Sequence, residues 1–550
     1  MQGKTPPVYQ RHLFPVPNVP LAPNKNAVYN SGMKLTENLE KIRAANREYC
    51  RLGKIVATLQ WDMETYMPPE GIKERSEQLA LIEGLAHARL ADPENGRLLA
   101  ELGSTEEEPG GDEELPARDR DFVRVLRRNY DRAILLPAEF VGEAAKARGF
   151  SQAAWAAARK ANDFKAFLPH LRTMIDTERK RAAYWGFGSG GKSLYDGLLD
   201  MYEPGMGVAQ ITPLFAVLRE RLSALVKEIG KRERPDTSFL DREFPVEKQR
   251  EFSDSVLGAI MFSTKRGRLD LSAHPFTISL GPDDVRITTR YFPKNLLSGL
   301  FSVIHEAGHA IYEMGFPEEL RGTSLADGAS MGIHESQSRL WENVIGRGLP
   351  FWKNKFPGLK SAFPEQLGKV ELPEFYRAVN EVKPSLIRVD ADEVSYGLHV
   401  ILRFELEQGM ISGEIDPEKL PEIWREKMRE YFGIEIDPAG PRSDADGVLQ
   451  DVHWSMGAFG YFPSYLLGNL YGLHFWRRIR EDIPDFDTRI IQGDFGPLRS
   501  WIDDNICRWG ARLEPARLLH EVCGLELRAE PFLEYVEAKY RDLYGIPAGV

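Results

Sequence analysis

His305-Glu306-Ala307-Gly308-His309 lies inside an apolar run from Leu296 to Tyr312. Pro293 precedes the run and Gly315 follows it, so the stretch reads as one helix with a start and a stop. Residues four apart on a helix stand one turn apart on the same face. The two imidazoles can therefore grip one metal ion. Glu306, between them, faces the same mouth and can take a proton from water that the metal has acidified. The flanks Phe301-Ser302-Val303-Ile304 and Ala310-Ile311-Tyr312 predict a buried helix rather than a solvated one. Two histidines and a carboxylate in such a helix need partners, because a buried polar group without one is costly. A metal ion supplies that partner.

Working outward, the period changes just before this helix. Thr277-Ile278-Ser279-Leu280 and Val285-Arg286-Ile287-Thr288-Thr289-Arg290-Tyr291 alternate around Gly281-Pro282-Asp283-Asp284, which predicts a β-hairpin leading into the metal helix. It is the one β segment expected. The rest reads as mainly α. From Leu35 apolar residues recur at helical spacing, with a loop expected over Trp61–Gly71 around Pro68-Pro69. Residues 72–103 read as helical with a break near Asp92-Pro93, residues 118–184 as helical, and 209–230 as a further helix. Loops are expected at 314–332, 411–420 and 433–449. Gly103 to Pro116 reads as a solvated acidic linker. Gly186–Ser193 matches a phosphate-loop pattern, but no strand precedes it, so it reads as a flexible connector.

Composition narrows the function. The 550 residues are 42% hydrophobic and 28% charged, enough for a large folded core. Net charge is −11 and no basic block stands out, which argues against a nucleic-acid partner. No apolar run is long enough to span a membrane. Three widely spaced cysteines, Cys50, Cys507 and Cys523, fit a reducing compartment, the cytoplasm, and a metal site without sulfur. The first 34 residues are rich in proline and hold no acidic residue. They lack the apolar core of a secretory signal and read as a disordered or surface-draped extension.

A catalytic zinc commonly takes three protein ligands and leaves one position for water. Glu335 follows His309 by 26 residues (335 − 309), in His334-Glu335-Ser336-Gln337, which opens a second helix. Two antiparallel helices joined by such a loop can bring Glu335 over the histidine pair. Glu342 and His334 compete for the same role. Glu342 lies two turns further on and suits a supporting position. His334 points about 100° away from Glu335 on a helix.

HExxH followed by a glutamate at this distance resembles the gluzincin metallopeptidases, and the chain is similar to the M32 family of metallocarboxypeptidases in particular. Five ordered motifs carry the resemblance: Asp284-Val285-Arg286-Ile287-Thr288, His305 to His309, His334 to Gln337, Ile387-Arg388-Val389-Asp390-Ala391-Asp392, and Gly447-Val448-Leu449-Gln450-Asp451-Val452-His453-Trp454. Trp61-Asp62, Tyr202-Glu203-Pro204-Gly205-Met206 and Gly460-Tyr461-Phe462-Pro463-Ser464-Tyr465 look familial too. Cys507 stands where relatives are expected to carry histidine.

The resemblance implies a two-lobed helical body around a deep cleft. One M32-type catalytic domain would span 35–550, with a helical part over 35–245 and a metal-site part over 246–550. It implies Zn²⁺, with Co²⁺ as an alternative, held by His305, His309 and Glu335, with Glu306 as general base. It also implies peptide substrates with a free C-terminus and a homodimer. Candidate donors to the oxyanion are His453 and Tyr461 or Tyr465. Arg388 is the candidate reader of the terminal carboxylate, because a guanidinium matches a carboxylate in a two-bond fork; Tyr465 is placed with it at the substrate. The structural alternative for Arg388 is an ion pair with Asp390 or Asp392. A gluzincin-type endo-oligopeptidase would share the metal site but need no carboxylate anchor. A metal-stabilised binding protein would have no use for Glu306.

Overall fold

The computed structural model describes residues 25–547, with side chains from residue 33. Of the proline-rich extension, residues 1–24 lie outside the described residues. Residues 25–34 are already helical: α1 runs over Lys25–Thr65, starting ten residues earlier than the apolar spacing suggests. It also ends later than expected, passing through Trp61. Asp62-Met63-Glu64-Thr65 contains no breaker, and Pro68 is the first residue to restrict the backbone.

The N-terminal helices continue with α2 (Ile72–Leu90), α3 (Pro93–Glu101), α4 (Ala117–Ile134), α5 (Ala138–Ala161), α6 (Phe164–Tyr184), α7 (Leu194–Leu199), α8 (Val208–Ile229) and α9 (Val246–Ala259). The run expected over 118–184 divides into three. Pro137 starts α5, and Asn162 ends it in the left-handed region, where Asp163 caps α6.

Three strands follow: β1 (Gly267–Leu271), β2 (Thr277–Gly281) and β3 (Asp284–Thr289), in the order β1-β3-β2. The β2–β3 pair is the antiparallel hairpin that the alternation predicts. β1 is an addition to that expectation. It lies parallel to β3, pairing Gly267 with Val285 through Leu271 with Thr289. A parallel partner has no tight turn to announce it, which is why five residues of modest alternation are easily passed over.

Beyond the sheet come α10 (Leu296–Met314), α11 (Met331–Arg339), α12 (Leu349–Ala362), α13 (Pro364–Leu367), α14 (Leu372–Val379), α15 (Tyr396–Ser412), α16 (Leu420–Phe432), α17 (Phe462–Asp482), α18 (Phe486–Gln492), α19 (Gly496–Asn505), α20 (Pro515–Cys523) and α21 (Glu530–Leu543). The chain is thus mainly α with one small sheet. α11 runs directly into a π-helical stretch, Leu340–Gly346.

Two buried apolar clusters hold these elements. The larger joins side chains from α5 onward with Val285 and Ile287 of β3 and most of α10. The smaller joins α1, α3 and α4 with Leu320 and Leu325, from the segment between α10 and α11. Each large side chain buried this way contributes roughly 1.5–3 kcal/mol. Leu320 and Leu325 therefore fasten the N-terminal helices to the connection between the two helices of the metal motif.

Candidate metal centre

α10, α11 and α17 meet with almost no side-chain spacer. A Cβ built on Gly308 would lie 2.7 Å from Ser338 Cα, so only glycine lets α10 approach α11 this closely. A Cβ on Gly468 of α17 would lie 2.6 Å from Glu335 Cγ. Glu335 is thereby pressed between the histidine-bearing helix and α17. At the start of α11, buried Glu203 accepts from Ser330 Oγ and from the Gly332 amide, both at 3.0 Å. A carboxylate is favoured at a helix N-terminus, so this contact fixes where α11 begins.

His305, His309 and Glu335 converge: one donor atom from each lies within 4.8 Å of the others. Glu335 Oε2 is 3.7 Å from His305 Nε2 and 3.4 Å from His309 Nε2. Four ligands at about 2.0–2.1 Å from a tetrahedral ion stand about 3.4 Å apart, so the donors already lie close to the spacing of a zinc-like site. The other donor sites of these residues are engaged elsewhere. Arg339 Nε donates to Glu335 Oε1 at 2.7 Å, which turns Oε2 toward the histidines. His305 Nδ1 is 2.9 Å from Glu342 Oε2, and His309 Nδ1 is 2.6 Å from His334 Nδ1. The residues fit a divalent cation.

These contacts fix tautomers. With both Nε2 lone pairs free, His305 donates from Nδ1 to Glu342, and His309 donates from Nδ1 to His334. His334 then carries its proton on Nε2 and donates to Glu313 Oε1 at 2.9 Å. Glu342 and His334, the rival third ligands, thus stand behind the two histidines as orienting groups. Burial is the main reason that His309 is pushed down to about 4, which keeps it neutral. Burial opposes ionisation of Glu335, yet Arg339, His305 and His309 outweigh it and hold the carboxyl well below its usual range. Removing such an orienting partner typically costs 10–100-fold in metal affinity. Glu342→Ala is expected to weaken divalent-metal binding by about 10-fold or more, measured by competition with a chelator. Unchanged affinity would contradict the role given to Glu342.

Glu306 is buried beside His305, close enough to feel the charges of His305, Glu335 and Glu342. The Thr277 hydroxyl of β2 lies 2.6 Å from its Oε2 and 3.0 Å from its backbone carbonyl. Burial, with Glu335 and Glu342 adding, raises the Glu306 pKa against the pull of His305 and Thr277. A carboxylate raised in this way is a better proton acceptor.

The remaining candidates form an adjoining cluster. Arg339 lies over the Tyr396 ring at 4.2 Å, and Tyr396 Oη accepts from Arg388 Nη1 at 3.3 Å. Arg388 is buried, and its Nε and Nη2 both donate to Asp451 Oδ1, at 3.0 and 2.9 Å. Its partner is thus Asp451; Asp390 and Asp392 do not pair with it, and Asp392 instead receives the Ser395 hydroxyl. Arg403 holds the other oxygen of Asp451 at 2.6 Å. Tyr465 lies under Arg388, 4.9 Å from ring centroid to guanidinium, and its hydroxyl is 3.1 Å from His453 Nε2. Tyr461 packs edge-on to Tyr465 at 5.2 Å. Burial pushes His453 down to about 4 and Tyr461 up to about 12, with the Glu335 charge adding to the tyrosine shift. Near neutral pH both are therefore uncharged groups that can donate a hydrogen bond.

Sequence reasoning missed Arg339, Thr277 and Glu313. Arg339 was within reach, since it stands four residues after Glu335 on a helix. Thr277 and Glu313 depend on how the sheet and the next helix pack, which no local spacing reveals.

Known proteins resemble this chain in sequence and in fold. The family model of the carboxypeptidase Taq (M32) metallopeptidases matches residues 41–540. Thermostable carboxypeptidase 1 of Thermus thermophilus is 42% identical over 509 residues, which cover 91% of this chain and 97% of that protein. Carboxypeptidase 1 of Bacillus subtilis is 38% identical over 493 residues, 90% of this chain and 96% of its own. The crystal structure of an M32 carboxypeptidase from Deinococcus radiodurans superposes with a TM-score of 0.87 at 38% identity, covering 92% of this chain and 100% of that one. A Pyrococcus furiosus carboxypeptidase structure gives a TM-score of 0.85 at 36% identity, covering 92% and 99%. Sequence, fold and the convergence of His305, His309 and Glu335 agree: the chain belongs to the M32 family of metallocarboxypeptidases, hydrolases that use a divalent metal.

Proposed function

We propose that this protein is a zinc-dependent carboxypeptidase that releases single amino acids from the free C-terminus of peptides. The observation that carries the reading is the convergence of His305, His309 and Glu335 beside a buried Glu306. Zn²⁺ suits two neutral imidazoles and one carboxylate, and Co²⁺ suits the same donors. When bound, the ion polarises the scissile carbonyl and acidifies water. Glu306 accepts the proton from the attacking water and returns it to the leaving amine. Thr277 holds one oxygen of Glu306 in place while the other serves as base. Tyr461 and His453 donate to the oxygen on which negative charge develops, and Tyr465 orients His453 through its hydroxyl.

Arg388 is proposed as the reader of the terminal carboxylate, together with Tyr465. Asp451 occupies two nitrogens of its fork, so a bidentate grip by Arg388 alone is not supported. What supports the reading is charge. Arg388 and Arg403 share one aspartate, which leaves a buried net positive charge beside Tyr465 and His453. The occupied fork is also the one feature that favours the endo-oligopeptidase alternative.

The two readings differ in one experiment. Loss of a buried, hydrogen-bonded charge contact typically costs ~2–5 kcal/mol. A C-terminally amidated peptide is therefore expected to be cleaved at least ~30-fold more slowly than its free-acid twin. Arg388→Ala is expected to narrow that gap by losing activity on the free acid while keeping the metal. Equal rates on both peptides in the wild-type enzyme would favour the endopeptidase. A gap that survives Arg388→Ala would move the anchor elsewhere.

We further propose one catalytic domain over 35–550, with the first residues as an appended extension. A reducing, cytoplasmic setting is supported by the free cysteines Cys50, Cys507 and Cys523. No helix among the described residues is long and apolar enough to cross a membrane. The homodimer rests on the family resemblance alone.

A further inference from the structure

His453 and Tyr461 sit at the two ends of one short turn, and both ends are tied to one buried carboxylate. Glu407, in the middle of α15, is fully buried. Its Oε1 accepts from Trp454 Nε1 at 2.8 Å. Its Oε2 accepts from the Gly460 amide at 2.9 Å and from the Tyr195 hydroxyl at 2.7 Å. Trp454 directly follows His453, and Gly460 directly precedes Tyr461. The turn between them bends through two left-handed glycines, Gly457 at φ 75° and Gly460 at φ 84°. A Cβ on Gly460 would lie 2.6 Å from the Leu198 carbonyl carbon, so this backbone is also wedged against α7.

No cation pairs with Glu407 among the described residues. Arg403, one turn back on α15, spends its nitrogens on Asp451 and on the His399 carbonyl. The three partners of Glu407 are all donors, and two of them, an indole N–H and an amide N–H, cannot turn into acceptors. The Tyr195 hydroxyl can donate or accept, so the carboxyl satisfies all three contacts whether it is ionised or protonated on Oε2. Burial without a paired cation pushes Glu407 up to about 7, against the pull of its hydrogen bonds from Gly460, Tyr195 and Trp454. A fully buried acid that spans both ends of one turn has a more specific role than packing.

We infer that Glu407 is a positioning residue for the reaction: it clamps the 453–461 turn, so that His453 and Tyr461 are held at fixed separation beside Glu335. The inference rests on the roles proposed above for those two residues. It gives Glu407 no contact with substrate or metal, so its loss affects turnover rather than metal binding or substrate capture.

Glu407→Gln tests it. In either orientation the new amide sets an N–H₂ against a fixed N–H, that of Trp454 or that of Gly460. The turn shifts, and kcat is expected to fall about 10-fold or more, since misplacement near 1 Å can cost 10²-fold. KM and the metal content per chain are expected to stay near wild type. The double variant Glu407→Gln, Trp454→Phe removes one opposing N–H, so the amide has an orientation without a clash. It is expected to recover most of the lost kcat, whereas independent effects would make it worse. Thermal unfolding and metal content are measured on every variant, with Tyr461→Phe and His453→Ala in parallel. If Tyr461→Phe and His453→Ala lose kcat while Glu407→Gln does not, the clamp is wrong and the function stands. If Glu407→Gln loses metal or fold together with activity and Trp454→Phe does not rescue it, Glu407 is ordinary core and the inference is overturned. If neither Tyr461→Phe nor His453→Ala changes kcat, the roles given to those residues fail and the clamp falls with them.

Discussion

Glu306→Gln should bind one metal ion per chain and turn over peptide at least ~10²-fold more slowly than wild type, the usual contribution of a positioned acid–base group. The substitution keeps the size of the side chain. The Thr277 hydroxyl, now 2.6 Å from the carboxylate, can still donate to the amide oxygen. The rotamer and the neighbouring ligands are therefore preserved, and the one property removed is basicity. Metal content by atomic emission and kcat on a free-acid peptide check both halves. A metal-replete Glu306→Gln enzyme with wild-type kcat would remove Glu306 from the chemistry.

The second large effect is loss of the metal itself. His305→Ala, His309→Ala and Glu335→Ala should each strip the ion and abolish activity, because three donors are the minimum on which a catalytic site of this kind is built. Glu335→Ala carries an added cost. It removes the 2.7 Å partner of the largely buried Arg339 and leaves it the 3.4 Å contact with Glu342, so the cost falls below the ~3–5 kcal/mol typical of a buried charge left alone. Glu335→Gln keeps a hydrogen-bond acceptor for Arg339 and separates metal loss from destabilisation. Full metal content in a folded Glu335→Ala protein would contradict the ligand set. Glu342 would not then be the simple replacement, since it already faces the opposite nitrogen of His305.

Much of this site was legible in the chain. His305 and His309 at i, i+4 in an apolar run dictate one helix and one donor pair, and Gln337–Ser338 against Gly308 shows why that helix could take a close neighbour. Alternation around Gly281-Pro282 gave the β2–β3 hairpin. What local pattern could not supply was anything set by distant packing. β1 joins the sheet in parallel, so no turn links it to its partner. Thr277 reads as one more β-branched strand residue until the strand is laid across α10. For Arg388, the structural alternative to reading a terminal carboxylate looks to the neighbouring Asp390 and Asp392, but its partner Asp451 arrives from 63 residues away. Glu407 belongs to none of the motifs; nothing local separates it from Glu405 on the same helix, and its three partners come from α7 and from the turn before α17.

Exopeptidase action is read out by following a single free-acid peptide with the metal-replete enzyme and weighing the products over time. The expected result is a ladder in which each species is shorter than the last by one C-terminal residue, with the matching free amino acids and with the amidated twin left largely intact. Internal fragments that appear first, at equal rates from the free and amidated peptides, would contradict it.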